Sequence, residues 1–144
     1  IFLPSIVHAD VFYQRLLAIS VHERSGPEAS YRFYNERMEE MSSFSVPYLL
    51  MDGDFLVPYY DYNRKHDLFF TFEPLSHGEA DFPNGAFQLA KYDAAKGKKE
   101  ILMENMDNEP ISCSPNGEYC LYGFYFEKMI DVKNKEIQMI FEEK

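Results

Sequence analysis

The sequence lacks most of the motifs that mark a catalytic or cofactor-binding protein. Its 144 residues include no Trp, two Cys and seven Gly that occur singly, so there is no glycine-rich phosphate loop. Gly-x-Ser-x-Gly, Cys-x-x-Cys and His-Glu-x-x-His are all missing. No apolar run reaches the roughly 18 to 20 residues that cross a bilayer. The sequence therefore predicts no cofactor, no metal centre and no membrane span.

Basic residues are few relative to acidic ones. Lys and Arg total 14 against 24 Asp and Glu, which gives a formal charge of −10 and a pI near 4.8. Nucleic acids and anionic membranes are bound by clustered Lys and Arg, so this balance excludes a nucleic-acid surface and disfavours adsorption to anionic lipid. A basic partner is compatible with it.

The aromatic content favours strands, and the length fits one domain, 1–144. Tyr and Phe make up 17% of the residues, and such side chains suit a pleated sheet. The chain begins with Ile rather than Met, so we expect a trimmed, processed or incomplete chain. Ile1–Ala9 fits either a first strand or the tail of a secretory signal, because Val7-x-Ala9 resembles a cleavage site. The compartment is left undetermined.

A fifteen-residue stretch recurs without a gap 52 positions later. Pro58–Phe72 aligns with Pro110–Phe124, and a looser copy opens the chain at Pro4 with about two extra residues in its turn. The copies read as hairpins with turns at Asn63–His66 and Ser114–Gly117. Asn-Gly after Pro favours a chain reversal, because Asn and Gly tolerate positive φ. Units that repeat at such a spacing are typical of propellers and solenoids.

The strands that follow these turns are continuous aromatic and aliphatic runs, Asp67–Glu73 and Tyr119–Phe126. Such runs predict burial on both faces, since half-exposed strands alternate. A second hairpin then follows in each unit. Its predicted strands are Ala86–Asp93 with Glu100–Met103, Met129–Asp131 with Glu136–Ile140, and Ser30–Tyr34 with Met38–Phe44. A short helix over 31–41 is the alternative in the first unit.

Four strands per unit give the composition of a propeller blade. The sequence therefore predicts an all-β, propeller-type fold of three antiparallel four-stranded repeats, at about 1–46, 47–104 and 105–144. The alignment also predicts one buried stripe that runs across successive blades. Its members are Leu68, Phe70, Phe72, Cys120, Tyr122 and Phe124, with Leu17, Ile19 and Val21 in the first unit.

Two segments resemble the blades of TolB-type propellers. Cys113–Tyr122 is similar to their aromatic-Ser-Pro-Asp-Gly-Lys turn with its following apolar strand, and Tyr92–Lys99 to their outer hairpin. The resemblance covers Pro58–Lys144, with Cys113 and Asn116 in place of the usual aromatic residue and Asp. It implies blade structure and no particular activity. Such blades occur in scaffolds, periplasmic transport accessories and the gating domains of serine peptidases.

The connection from Pro74 to Gly85 is longer than its counterpart in the third unit, and recognition often lies in such loops. Its ligand-binding candidates are His77, Glu79, Asp81 and Phe82. Phe82 is expected to be an exposed aromatic anchor for a partner. The alternative is a surface loop with no binding role. The His and the two carboxylates are metal-ligand types, but three ligands so close together on one loop rarely close a site. Asp52-Gly53-Asp54 lacks the later oxygen ligands of a calcium loop, which favours a turn.

The two cysteines are seven residues apart. If the turn is Pro115–Gly117, Cys113 and Cys120 face each other across the hairpin, within disulfide range. The alternative is two small buried thiols that fill the core.

The function favoured by these observations is a non-catalytic module that binds a protein or peptide through loops at one end. One alternative is the propeller portion of a larger serine hydrolase or peptidase. Another is an enzyme with paired carboxylates at the propeller mouth. Propellers generally close with about four or more blades, so three blades leave two sheet faces uncovered. We therefore expect a homodimer that completes a six-bladed ring, against a missing segment of the same polypeptide or a compact sandwich.

Overall fold

The computed structural model describes most of the chain. The described residues are 5–12, 15–22, 28–47, 49–51, 54–55, 57–63, 65–75, 78–79 and 85–140, with side chains described for 29–47, 57–63, 65–75 and 85–140. All regular structure in these residues is β-strand, so the alternative of a helix over 31–41 is wrong. Across the same residues, no helix is long and apolar enough to cross a membrane.

Three four-stranded sheets follow one another along the chain, and each is an antiparallel meander. The first sheet contains β1 (Ser5–Phe12), β2 (Arg15–His22), β3 (Glu28–Tyr34) and β4 (Glu40–Val46). The second sheet contains β7 (Tyr60–Asn63), β8 (Leu68–Pro74), β10 (Phe87–Asp93) and β11 (Lys98–Met106). The third sheet contains β12 (Ile111–Cys113), β13 (Tyr119–Tyr122), β14 (Lys128–Asp131) and β15 (Glu136–Met139). This arrangement confirms the predicted all-β fold of three antiparallel four-stranded units.

A small accessory sheet is an addition that the sequence did not predict. It contains β5 (Leu49–Met51), β6 (Asp54–Phe55) and β9 (Gly78–Glu79). β5 and β6 are antiparallel, whereas β5 and β9 are parallel, with Leu49 opposite Gly78. The pairing ties the long connection after β8 to the segment that precedes the second sheet.

Two interfaces between successive sheets hold the core. At the first, the rings of Tyr31 and Phe69 pack edge to face with centroids 5.3 Å apart. At the second, the centroids of Phe72 and Tyr122 lie 5.4 Å apart. β8 serves both interfaces, because successive side chains point to opposite faces of a sheet. All seven of its residues are buried, which confirms the expectation for this strand.

The structural repeat is 51 residues rather than 52. Cys113 pairs with Cys120 as Tyr62 pairs with Phe69, and each residue follows its counterpart by 51 positions. In both sheets these residues face the preceding sheet. The 52-residue alignment is therefore one residue out of register, and a one-residue slip exchanges the two faces of a strand.

This slip changes the meaning of the predicted buried stripe. Five of its members, Leu68, Phe70, Phe72, Cys120 and Tyr122, do form one buried cluster. They do so because residues of the second and third sheets face each other across an interface, and not because they are equivalent. Phe124 does not belong to the cluster. β13 ends at Tyr122, and the ring of Phe124 is 59% exposed.

The expectations for the first unit are met in backbone pairing only. Leu17 and Ile19 lie opposite Phe33 and Tyr31, while the side chains of Leu17, Ile19 and Val21 lie outside the described part of the structure. Arg15 pairs with the last residue of β1, which leaves two residues for the turn. The expected lengthening of this turn is therefore wrong.

Gly117 allows the turn between β12 and β13 to approach the second sheet. Its φ is +74°, a region that L side chains rarely adopt. A Cβ atom at this position would lie 2.7 Å from Cζ of Phe70, closer than carbon atoms approach. The turn and the buried Phe70 ring therefore fit together only with glycine.

Replacing Phe70 with Ala is expected to lower the free energy of unfolding by about 3–5 kcal/mol, since the ring is fully buried. Phe124→Ala is the matched control, because the same side chain is removed from an exposed position. Its cost should stay below about 1 kcal/mol. Urea unfolding followed by circular dichroism measures both values. Equal losses in the two variants would contradict the assigned interface.

Candidate functional site

Four chain connections lie at one end of the second and third sheets, here called the connection end. They are residues 57–59, 107–110 and 123–127, and the connection 75–86 by its described ends, Leu75 and residues 85–86. The strand register places them together. Pro74 and Met106 both lie opposite Phe87, and Ile111 lies opposite Tyr122. The two sheets also meet at this end, where the N–H of Tyr59 donates to Oδ1 of Asn108 at 2.9 Å.

The connection end carries a group of exposed aromatic rings, here called the aromatic cluster. Its members are Tyr59, Phe124, Tyr125 and Phe126, which are 43%, 59%, 86% and 38% exposed. The rings of Tyr59 and Phe124 come from different sheets, and their centroids lie 6.1 Å apart at an interplanar angle of 89°. Among the described side chains, rings such as Phe69, Phe72 and Tyr92 that pack between sheets are buried, so this exposed group stands out as a contact surface.

The loop that presents three of these rings is fixed by its own hydrogen bonds. The N–H of Gly123 donates to the carbonyl of Pro110, and the N–H of Phe126 donates to the carbonyl of Gly123, both at 3.0 Å. Oε2 of Glu127 accepts from the N–H of Tyr125 at 3.0 Å. Gly123 has φ +111°, and a Cβ there would lie 2.5 Å from the Glu127 carboxylate. The rings therefore project from an ordered turn.

The Glu127 carboxylate is held in its ionised form by this loop. Hydrogen bonds from its own backbone N–H and from that of Tyr125 lower the pKa of the Glu127 carboxyl, helped by the charge of Lys128. A negatively charged group thus supports the loop at neutral pH.

Tyr122 and Asp107 join the remaining connections to the sheet. The Tyr122 hydroxyl donates to the Asp107 carbonyl at 3.0 Å and accepts from its N–H at 3.1 Å. Burial raises the pKa of Tyr122 to about 12, so the hydroxyl keeps its proton for this bond. Oδ1 of Asp107 accepts from the N–H of Gly85 at 2.7 Å, which anchors the return of the 75–86 connection. The frame beneath the aromatic cluster is therefore built from three connections.

The residues singled out in the long connection are described only in part. Glu79 lies in β9, with its backbone alone described, and His77, Asp81 and Phe82 lie outside the described residues. The connection leaves the second sheet at Leu75 and returns at Gly85, both at the connection end. Asp54 begins β6, and the two residues before it are also outside the described ranges. In the part of the chain that is described, no three His, Cys, Asp or Glu residues form a candidate metal group.

Cys113 and Cys120 are directly opposed in the hairpin of the third sheet, and the structure joins their Sγ atoms as a disulfide. The N–H of Cys113 also donates to Oδ2 of Asp61 at 2.7 Å, which links β12 to β7. The disulfide therefore lies beside the contact between the second and third sheets.

Sequence reasoning missed two features. The aromatic cluster was missed because Phe124 was assigned to the core, although the Gly123 that ends the strand before it was a readable signal. Glu73 was also missed, because it ends an otherwise apolar run. It is 1% exposed, and its Oε2 lies 2.8 Å from Nζ of Lys99. Its Oε1 has no hydrogen-bond partner. Burial between the first and second sheets keeps this carboxylate away from bulk solvent.

An open groove of about 360 Å³ lies elsewhere, along β11 and the turn that carries Lys135. Its walls are Ile101, Leu102, Met103, Glu104, Asn105 and Lys135. It is mixed in polarity and lacks a converging set of polar groups among these residues, so the aromatic cluster is the better candidate site.

Comparison with known proteins identifies the family. The model of the YqgU-like 6-bladed beta propeller domain matches residues 1–123. The chain belongs to this family. A curated relative, the "Uncharacterized lipoprotein YqgU" of Bacillus subtilis strain 168, is 30% identical over 141 residues, which are 97% of this chain and 37% of that protein. The chain thus spans well under half of that relative.

Solved structures agree with the YqgU-like assignment. The uncharacterized protein lmo1340 of Listeria monocytogenes EGD-e is 26% identical, with a TM-score of 0.81 over 95% of this chain and 40% of that one. The β-propeller domain of the Trilobed protease from Pyrococcus furiosus is 7% identical, with a TM-score of 0.57 over 94% and 42%. The second likeness shows the fold alone. The predicted propeller-type fold is confirmed.

The pKa of Glu127 is lowered, which predicts that the 123–127 loop of this YqgU-like chain loosens only when the pH falls below the ordinary pKa of a Glu side chain. Because the pKa of Glu127 is lower in the folded than in the unfolded protein, its stabilising hydrogen bonds are fully formed above the unfolded-state pKa. They are lost as the pH falls through the folded-state pKa. The NMR signal of the Tyr125 amide proton should therefore move with a midpoint below the ordinary Glu value of about 4.3.

Glu127→Gln should abolish this movement of the Tyr125 signal. The Asn134 amide is the internal control, because its hydrogen bond to Asp131 should titrate in both proteins. A Tyr125 midpoint at or above the ordinary Glu value would contradict the geometry of the loop.

Proposed function

We propose that this protein is a non-catalytic binding module that holds a protein or peptide on the connection end of its blades. The observation that carries the proposal is the aromatic cluster, with four exposed rings on an ordered frame. Exposed Tyr and Phe with little freedom are the side chains that dominate protein interfaces. Loops on a rigid repeat scaffold are where recognition residues concentrate.

The carboxylates at this end favour binding over catalysis. Glu127 accepts from the Tyr125 N–H, Asp107 accepts from the Gly85 N–H, and Glu109 pairs with Lys128 at 3.2 Å. All three are thus used to order the surface. The likeness to a protease propeller, at 7% identity, gives no support to a peptidase role.

The long connection between β8 and β10 is included in the proposal. Both of its anchors, Leu75 and Gly85, lie at the connection end, and Leu75 is 54% exposed. We therefore assign its candidate residues to the same binding surface. These are His77, Glu79, Asp81 and Phe82.

Peptides selected from a random display library on the purified protein are expected to need the aromatic cluster. Tyr125→Ala should weaken their binding at least about tenfold, as truncation of interface anchors does. Met38→Ala is the matched control. It removes another apolar side chain, 63% exposed, from the turn between β3 and β4. Isothermal calorimetry measures both.

The same calorimetry with Phe82→Ala tests the long connection. Loss of affinity in this variant would place Phe82 on the binding surface, and unchanged affinity would remove it. The function itself is contradicted if selected peptides bind Tyr125→Ala and Phe124→Ala as they bind the parent protein, or if selection yields no peptide.

We also propose that the outer face of the third sheet, defined by Tyr119, Leu121 and Met129, is packed against another sheet. Tyr119 and Leu121 follow Leu68 and Phe70 by 51 positions. The earlier pair is 9% and 0% exposed because the third sheet covers it, whereas the later pair is 48% and 40% exposed.

A further blade is the preferred cover for this face. The family is six-bladed, while this chain supplies three four-stranded sheets. The TolB-type resemblance of the turn at Ser114–Gly117 supports the same sheet-on-sheet repetition. The homodimer expected from the sequence is the other source of a covering sheet.

Leu121→Asp in the intact protein tests this interface. It should lower the free energy of unfolding by about 2–4 kcal/mol, because a charge would be buried without a partner. Met38→Asp, at an exposed turn, should change it by less than about 0.5 kcal/mol. Light scattering then separates the sources. A two-subunit mass indicates a second copy, and a one-subunit mass with the stability loss indicates a further blade. A one-subunit mass without the loss contradicts both.

A further inference from the structure

The ring pair at the heart of the aromatic cluster has the form of a site for a positive charge. Tyr59 and Phe124 stand at 89° to each other with centroids 6.1 Å apart, and both are partly exposed. An aromatic ring carries negative charge on its faces, so two rings in a corner attract a cation that enters between them. An apolar ligand would gain binding free energy from the same rings only through the contact area that it buries.

The charges around this corner point the same way. In ranges 57–60, 85–86, 107–110 and 123–128 there are three carboxylates and one ammonium group. The carboxylates are Asp107, Glu109 and Glu127, and the ammonium is Lys128. Lys128 already pairs with Glu109 at 3.2 Å and lies over the Tyr122 ring at 4.7 Å. The described surface thus keeps an excess of negative charge.

Because exposed charges within about a Debye length act together, the carboxylates of this surface raise the local concentration of cations and slow the approach of anions. Acidic residues alone would fit many solvated surfaces, and it is the open pair of rings that gives the cation a place to bind.

Resting on the proposed binding function, we propose that the partner presents a Lys or Arg side chain to the corner between Tyr59 and Phe124. The aliphatic stem of such a side chain packs on the rings while its charged head faces the carboxylates. Recognition of this kind selects basic segments of a partner over neutral or acidic ones.

NMR titration of the purified protein with the methylamides of Nα-acetyl-lysine and Nα-acetyl-arginine tests the proposal. The methylamide of Nα-acetyl-norleucine is the uncharged probe. The ring signals of Tyr59 and Phe124 should shift and saturate with the cationic probes. Binding of these probes should be at least about threefold tighter than binding of the norleucine probe. It should also weaken when salt is raised to about 0.5 M.

Variants locate the effect. Tyr59→Leu and Phe124→Leu should each lose the preference for the cationic probes, whereas Tyr119→Leu, which removes a ring from the outer face of the third sheet and leaves the corner intact, should keep it. Equal shifts with all three probes, or none with the cationic ones, would overturn the cation site. If display peptides still bind through Tyr125 in that case, the binding function stands without it. Shifts by the cationic probes with no display peptides would leave a cation site and reject the peptide-binding function.

Discussion

Aromatic packing on both faces of β8 joins the sheets of this protein. Phe69 meets Tyr31 of the first sheet, while Phe70 and Phe72 meet the third, so a single strand contributes to both interfaces. Edge-to-face contacts between rings stabilise these interfaces beyond what the buried apolar area contributes. Because buried rings fill both faces of the strand, they set the distance between the sheets on either side. The connection end inherits this spacing, and the corner between Tyr59 and Phe124 exists because two neighbouring sheets are held in register.

Tyr and Phe rings are buried at the interfaces between sheets and exposed at the connection end. The ring of Tyr92, within an interface, is fully buried, whereas three rings of the aromatic cluster, Phe124, Tyr125 and Phe126, project from a turn that backbone N–H groups and a carboxylate hold in place. An apolar surface that is ordered before it meets a partner loses little conformational entropy on binding. The acidic residues around it both order the loop and set its charge. In the proposed binding function, one set of carboxylates would both order this end and attract the partner.

The sequence predicted the order of strands because turn residues and apolar runs are local signals. It predicted the interfaces less well. The alignment matched Leu68 with Cys120, whereas the structure matches Phe69 with Cys120, and a side-chain period of two turns this slip into an exchange of faces. Continuous apolar runs hide such slips, since either face looks suitable for the core. Phe124 was misplaced for the same reason. Nothing local distinguishes a ring within a strand from a ring in the loop that follows it, except the Gly123 that precedes Phe124.

The unequal connections after β8 and β13 show how much length this position accepts. Twelve residues separate Pro74 from its partner Phe87, and five separate Tyr122 from its partner Lys128, yet both strand pairs keep their register. Loop-closure entropy changes by only about 0.6 kcal/mol for a doubling of length. The position is therefore a natural point for inserting a guest peptide or a small domain, with the anchoring hydrogen bond from Gly85 to Asp107 kept intact. A repeat protein of this kind can change the length and sequence of its connections while its sheets keep the same structure.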